Sequence, residues 1–180
     1  MKKYRSKSLS FQYHPQQDRL QCISCCEEDI DISIWISRRL LWVALPKFAQ
    51  WMEQNIDPDS LANKVNTKQE KSSIIAFEHE RAQQKIPSNE EKKKFNIPFA
   101  NDFLLHTLRL TGVSQNKIAL TFQDEHKTCQ VVSILSHDQL HKVIGELLRL
   151  SDHAHWALEN PWKKVVALGY QSGYSSTRLM

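Results

Sequence analysis

The sequence predicts an α+β protein made of two related β-β-β-α units (a pseudo-duplication) with mostly antiparallel sheets, joined by a charged, partly flexible insert. Three observations lead there. Runs of alternating apolar residues recur at a spacing of about 98 residues, too long for a solenoid and suited to a duplicated half-domain. Each recurrence leads into a serine-headed segment with the apolar spacing of one buried helical face. The residues in between are too polar to bury a continuous stripe.

The first unit spans residues 1–53. It opens with an alternating run carrying Leu9, Phe11 and Tyr13, the pattern of a strand with one covered face. A predicted hairpin follows, in which Asp18-Arg19-Leu20-Gln21-Cys22 aligns with Asn116-Lys117-Ile118-Ala119-Leu120. Ile32-Ser33-Ile34-Trp35-Ile36-Ser37 likewise aligns with Val131-Val132-Ser133-Ile134-Leu135-Ser136, so apolar positions fall on apolar positions. Ser37 then heads a helix carrying Leu41, Ala44, Leu45 and Phe48 inward. Pro46 removes one backbone bond there and is expected to kink that helix or delay its start.

The insert, residues 54–101, is rich in Asn, Gln, Lys and Glu and interrupted by Pro58, Pro87 and Pro98. Within it the stretch 72–81 predicts a short helix docked by Ile74 and Phe77, and Glu90-Glu91-Lys92-Lys93-Lys94 reads as a solvated patch. The second unit, residues 102–180, opens with alternation at Leu104, His106, Leu108 and Leu110. Its helix follows Ser136, whose run Ser136-His137-Asp138-Gln139 fits a capping box, and lays Leu140, Val143, Ile144, Leu147 and Leu148 on one face. Lys164 to Leu168 predicts a closing strand, and the end from Gly169 to Met180 a loose tail.

Composition narrows the class. With 41% hydrophobic and 24% charged residues and only 4 glycines, collagen-like and wholly disordered chains are excluded. The longest apolar stretch, Leu40 to Leu45, falls far short of the roughly 20 residues that cross a bilayer. Met1 to Lys7 has the charge of a signal peptide without the apolar run that must follow. A cytoplasmic location, with no membrane partner, is therefore expected.

Candidate chemistry is sparse. Cys22, Cys25 and Cys26 crowd together, with Cys129 far away, which is no disulfide framework and points to reduced thiols. Cys22 and Cys25 have the CxxC spacing of paired metal ligands, but no second pair completes a four-ligand site, and Cys22 falls where a strand faces the core. His137 and His141 stand four apart on one helical face, the spacing at which two imidazoles grip one metal, with Asp138, His153 and His155 nearby. The matching places in the first unit hold Arg38 and Trp42, so surface histidines are the expected reading.

Arg38 and Arg39 begin a helix whose exposed N–H groups favour an anion. With Lys163 and Lys164 in the acid-free last twenty residues, and Lys2, Lys3, Arg5, Lys7 and Arg19 at the other end, they form the candidate anion or nucleic-acid set. Of the 5 tryptophans, Trp42, Trp51, Trp156 and Trp162 mark a partner surface if they lie outside the core, and otherwise fill space between two small sheets. No Walker loop, GxGxxG, GxSxG or HExxH is present, and no catalytic residue or cofactor is nominated.

The functional expectation is a non-catalytic interaction or scaffold protein whose partner is another protein or a second copy of the chain. One alternative is nucleic-acid binding through the basic termini and Arg38 and Arg39. The other is a metal-dependent enzyme using His137 and His141.

Overall fold

The computed structural model describes residues 1–27, 29–56, 60–84, 99, 101–114 and 116–162. The expected closing strand at 164–168, the tail and the patch at 90–94 lie outside the described residues. The elements run β1 (Lys2–His14), β2 (Arg19–Cys26), β3 (Asp31–Ser37), α1 (Arg38–Gln54), a 3-10 turn (Leu61–Lys64), α2 (Lys68–Gln84), β4 (Asn101–Leu104), β5 (Thr107–Ser114), β6 (Lys117–Gln123), β7 (Cys129–Leu135) and α3 (His137–His153).

Among the described residues, seven strands form one mixed sheet in the order β4-β3-β2-β1-β7-β6-β5. This corrects the expectation of separate sheets, and the one sheet is mixed. The hairpin neighbours are antiparallel, but β1 pairs with β7, and β3 with β4, in parallel. Alternation in a sequence assigns a residue to a strand and says nothing about its partner. Pairings between strands so distant in the chain leave no local trace.

β1 is long because it serves two neighbours. Lys2 to Ser6 pair with β7, Ser6 to His14 pair with β2, and the register slips between Ser6 and Ser8. Residues 101–114 repeat the arrangement, pairing first with β3 and then with β6. At the changeover the Leu105 N–H donates to the Trp35 carbonyl at 2.8 Å and the His106 N–H to the Gln123 carbonyl at 3.0 Å. Two residues thus separate the outermost strands β4 and β5, about 10 Å of chain, so the sheet curls until its edges meet.

Which face is concave follows from one bond. Asn101 Nδ2 donates to Tyr4 Oη at 2.9 Å, although β1 and β4 lie three places apart, roughly 14 Å along a flat sheet. By register, Tyr4 shares its face with Val131, and Asn101 with Ile32. The concave face is the apolar one: Leu20, Cys22, Ile32 and Ile34 meet Leu120, Phe122 and Val131 in a single core with Leu41, Leu45 and Phe48 of α1 and Leu140, Ile144 and Leu147 of α3.

The changeover also shifts the side-chain phase. Phe103 and Leu105 point inward before it and Leu108 and Leu110 after it, leaving Leu104 49% exposed and His106 outside. The unbroken alternation expected of Leu104, His106, Leu108 and Leu110 fails for that reason. The hairpins manage without glycine, since Asp18, Asp29 and Lys127 take the left-handed conformation in their turns (φ 47, 53 and 55).

Ser37 Oγ accepts from the Leu40 N–H, and α1 starts at once. Pro46 does not delay it; it sits on the exposed side, where water can satisfy the carbonyl one turn back. Ser136 makes the full capping box, its Oγ accepting from the Gln139 N–H at 3.2 Å while Gln139 Oε1 accepts from the Ser136 N–H at 2.9 Å. α2 is longer than expected and turned about its axis: Ile75, Ala76, His79 and Ala82 are buried, and Phe77 is 63% exposed. Four consecutive apolar residues, 74–77, surround a helix and select no face, so packing against α3 decides. Among the described residues no helix is long and apolar enough to cross a membrane.

Replacing Ser136 with Ala strips the Gln139 N–H of its partner and breaks the reciprocal box, and is expected to cost about 1 kcal/mol. Ser37→Ala, which removes one longer bond, should cost less. Urea midpoints at unchanged slope measure both.

Candidate functional site

α1 divides sharply. Leu41, Ala44, Leu45, Phe48, Ala49 and Met52 are buried, while the outward side carries Arg38, Arg39, Trp42, Val43, Pro46 and Lys47. Trp42 is 68% exposed and Val43 46%. Residues three and four apart are neighbours on a helix, so Arg39, Trp42, Val43 and Lys47 form one continuous strip. No acid precedes Glu53 in α1, and Glu53 accepts a bond from Ser72 Oγ of α2 at 2.8 Å. The strip is therefore aromatic and cationic. At its upper end Asp18 is held below the usual carboxylate range, mainly by hydrogen bonds from Trp156 and Tyr13, with Arg38 adding a smaller pull.

Of the tryptophans considered as a partner surface, only Trp42 is largely exposed. Trp51 is half-buried against the core. Trp156 and Trp162 lie inside it, because both find polar or aromatic anchors after α3 ends. Trp156 Nε1 donates to Asp18 Oδ1 at 2.6 Å and its ring meets Tyr13 edge-on, and Trp162 stacks on His79 at 4.3 Å between centroids.

His137 and His141 are buried rather than surface residues. The pairing suggested by their spacing is not the one the fold makes. His137 Nε2 lies 3.1 Å from the Asn55 carbonyl, whereas His141 Nδ1 lies 3.3 Å from His79 Nδ1 on α2. Their nitrogens address different partners and do not form a ligand pair. Both line a cavity of about 10 Å³ with Glu78, Met52, Ile56 and Ile75, room for no more than one water. Among the described residues no group of three His, Cys, Asp or Glu side chains is placed to hold a metal ion.

His79 escaped the sequence reading. Its spacing to Ile75 and Ala82 was the available signal, obscured by the apolar run beside it. α2 is clamped further by Gln83, whose Nε2 donates to the His141 carbonyl at 2.8 Å. A Cβ on Gly145 would collide with the Gln83 side chain at 2.0 Å, so the glycine leaves the room this bond needs. Also unforeseen is a polar chain on the convex face: Gln12 and Gln21 bond each other, Gln21 donates to Ser33 Oγ at 2.8 Å, and His14 packs edge-on against Trp35.

The cysteines serve the sheet. Three residues apart on a strand, Cys22 and Cys25 face opposite sides and cannot chelate together. None of the four is disulfide-bonded. Burial pushes the Cys22 thiol far up, and burial with the nearby Asp124 charge pushes Cys129 up to about 11. Lys163 and Lys164 lie outside the described residues. Comparison of the chain with protein-family models, with curated proteins and with solved structures finds no match.

A maleimide reagent at pH 7.5 should therefore modify the partly exposed Cys25 first, leaving Cys22, Cys26 and Cys129 to react only after denaturation. Intact mass followed by peptide mapping gives the order.

Proposed function

We propose that this chain is a non-catalytic, cytoplasmic protein-interaction protein that docks an acidic partner protein on the outward strip of α1. The observation that carries the reading is the 68% exposure of Trp42 amid Arg38, Arg39, Val43 and Lys47. Tryptophan and arginine are the residues most enriched at binding hot spots, and leaving a large ring in water has no folding benefit. A cationic strip attracts an anionic surface and sets its approach. Three buried thiols outside any disulfide suit a reducing compartment.

We also propose that the scaffold arose from two copies of one β-β-β-α unit. Ser37 and Ser136 cap equivalent helices. The phase shift between Ser6 and Leu9 in β1 matches that between Leu105 and Leu108 in β4–β5, 99 residues on in each case.

The test places a photoreactive residue at Lys47 of the full chain in its native cell. A discrete protein adduct is expected, lost in Trp42→Ala and in Arg39→Glu, while the urea midpoint stays within about 0.5 kcal/mol of wild type because both side chains are at the surface. An adduct indifferent to both substitutions, or none, overturns the docking site. A nucleic-acid adduct that fades steeply with salt would establish the alternative reading instead.

A further inference from the structure

The junction of α2 with α3 joins two helices through buried imidazoles. α2 buries only Ile75, Ala76, His79 and Ala82 of its 17 residues, and it leans on α3, α1 and the 3-10 turn. Beside the core contacts of Ile75 and Ala76 its ties are polar: Ser72 to Glu53 of α1, Ser60 of the turn to Glu78, and Gln83 to the His141 carbonyl. At the centre two imidazoles meet, one from each helix, with Nδ1 of His79 and Nδ1 of His141 3.3 Å apart. That bond needs one nitrogen to carry a hydrogen and the other to offer its lone pair. One added proton still leaves a lone pair on the other ring; a second puts hydrogen on both Nδ1 atoms, removes the bond and sets two cations side by side, both rings being buried near the ring of Trp162.

We propose that α2 is a pH-released cover, held on α3 by the neutral His79–His141 pair and let go when both imidazoles take up protons. The groups around the pair do not rescue the charge. From α3, His137 and from α2, Arg81 oppose protonation of His141, and Asp138 alone favours it. Glu78, at the cavity edge, is already engaged by Ser60 Oγ at 2.6 Å, and the Asn55 carbonyl faces His137 instead.

Burial moves His79 down to about 4. Burial, then the His79 charge, moves His141 down to about 3. An imidazole whose docked pKa lies below its ordinary value stabilises docking fully above about pH 6.5, and that support fades as pH falls below it. Each of the two raises the opening equilibrium by about tenfold per pH unit from there down to its docked pKa, so the pair gives about a hundredfold per unit. Release therefore sets in well above the docked pKa values. It uncovers the His141 face of α3 together with Met52 and Ile56, and leaves the sheet core in place.

Amide hydrogen exchange on the full chain between pH 7.5 and 5.0, corrected for the intrinsic pH dependence of exchange, reads this directly. Protection of residues 68–84 should fall by about a hundredfold per unit below pH 6.5 while β2, β3 and β6 keep theirs. His79→Phe and His141→Phe should each reduce the slope to about tenfold. Constant protection of α2, loss of protection in step with the strands, or an unchanged slope in both variants overturns the proposal. If a variant undocks α2 already at pH 7.5, imidazole titration of the wild type by NMR decides. Two midpoints below 6.5 that coincide with α2 release uphold the cover, and two ordinary midpoints overturn it.

Discussion

The structure depends on two strands that change partners midway. A strand has two hydrogen-bonding edges, and in β1 and in residues 101–114 the lower half uses one edge and the upper half the other. Each such strand therefore ties a local hairpin to a strand from the distant part of the chain. With both ends of the sheet joined through Leu105 and His106, flatness is impossible, and the apolar side becomes the inside. α1 lies by β3 and β5, and α3 by β1, β6 and β7. Curvature, core and helix placement are consequences of one backbone arrangement.

Within that frame the helices differ in what holds them. α1 and α3 present broad apolar faces to the concave sheet and are capped by serines at their first turns. α2 buries only Ile75, Ala76, His79 and Ala82, and adds hydrogen bonds and the contact of His79 with His141. Hydrophobic burial is insensitive to pH, whereas an imidazole contact is not. A fold that mixes the two can keep its core rigid while one element responds to its surroundings.

Much of the secondary structure was legible because it depends on short-range pattern. Alternation marked β1, β2, β3, β6 and β7, and the serine-led stripes marked α1 and α3; of their expected inward residues only Val143 is not fully buried, while Ala49, Met52, His137, His141, Gly145, Leu150 and Ser151 are buried as well. The functional candidates were less legible. Trp42 lies in the apolar run 40–45 and Trp156 in the polar stretch 151–160, yet Trp42 is exposed while Trp156 is buried and forms a hydrogen bond to Asp18, 138 residues away. His141 was noticed for its spacing to His137, but its partner proved to be His79, from a segment with no clear stripe. Neither relation has a local signature.

The sequence by itself determined most of the strands and, for α1 and α3, where the helix starts and which face is greasy, because propensity, capping and periodicity act over a few neighbouring residues. Only the tertiary structure decided the single curled sheet, the exposure of Trp42 and the meeting of His79 with His141. Those follow from backbone pairing and packing between residues far apart in the chain, where many arrangements satisfy the same local pattern and the closure of one common core selects among them.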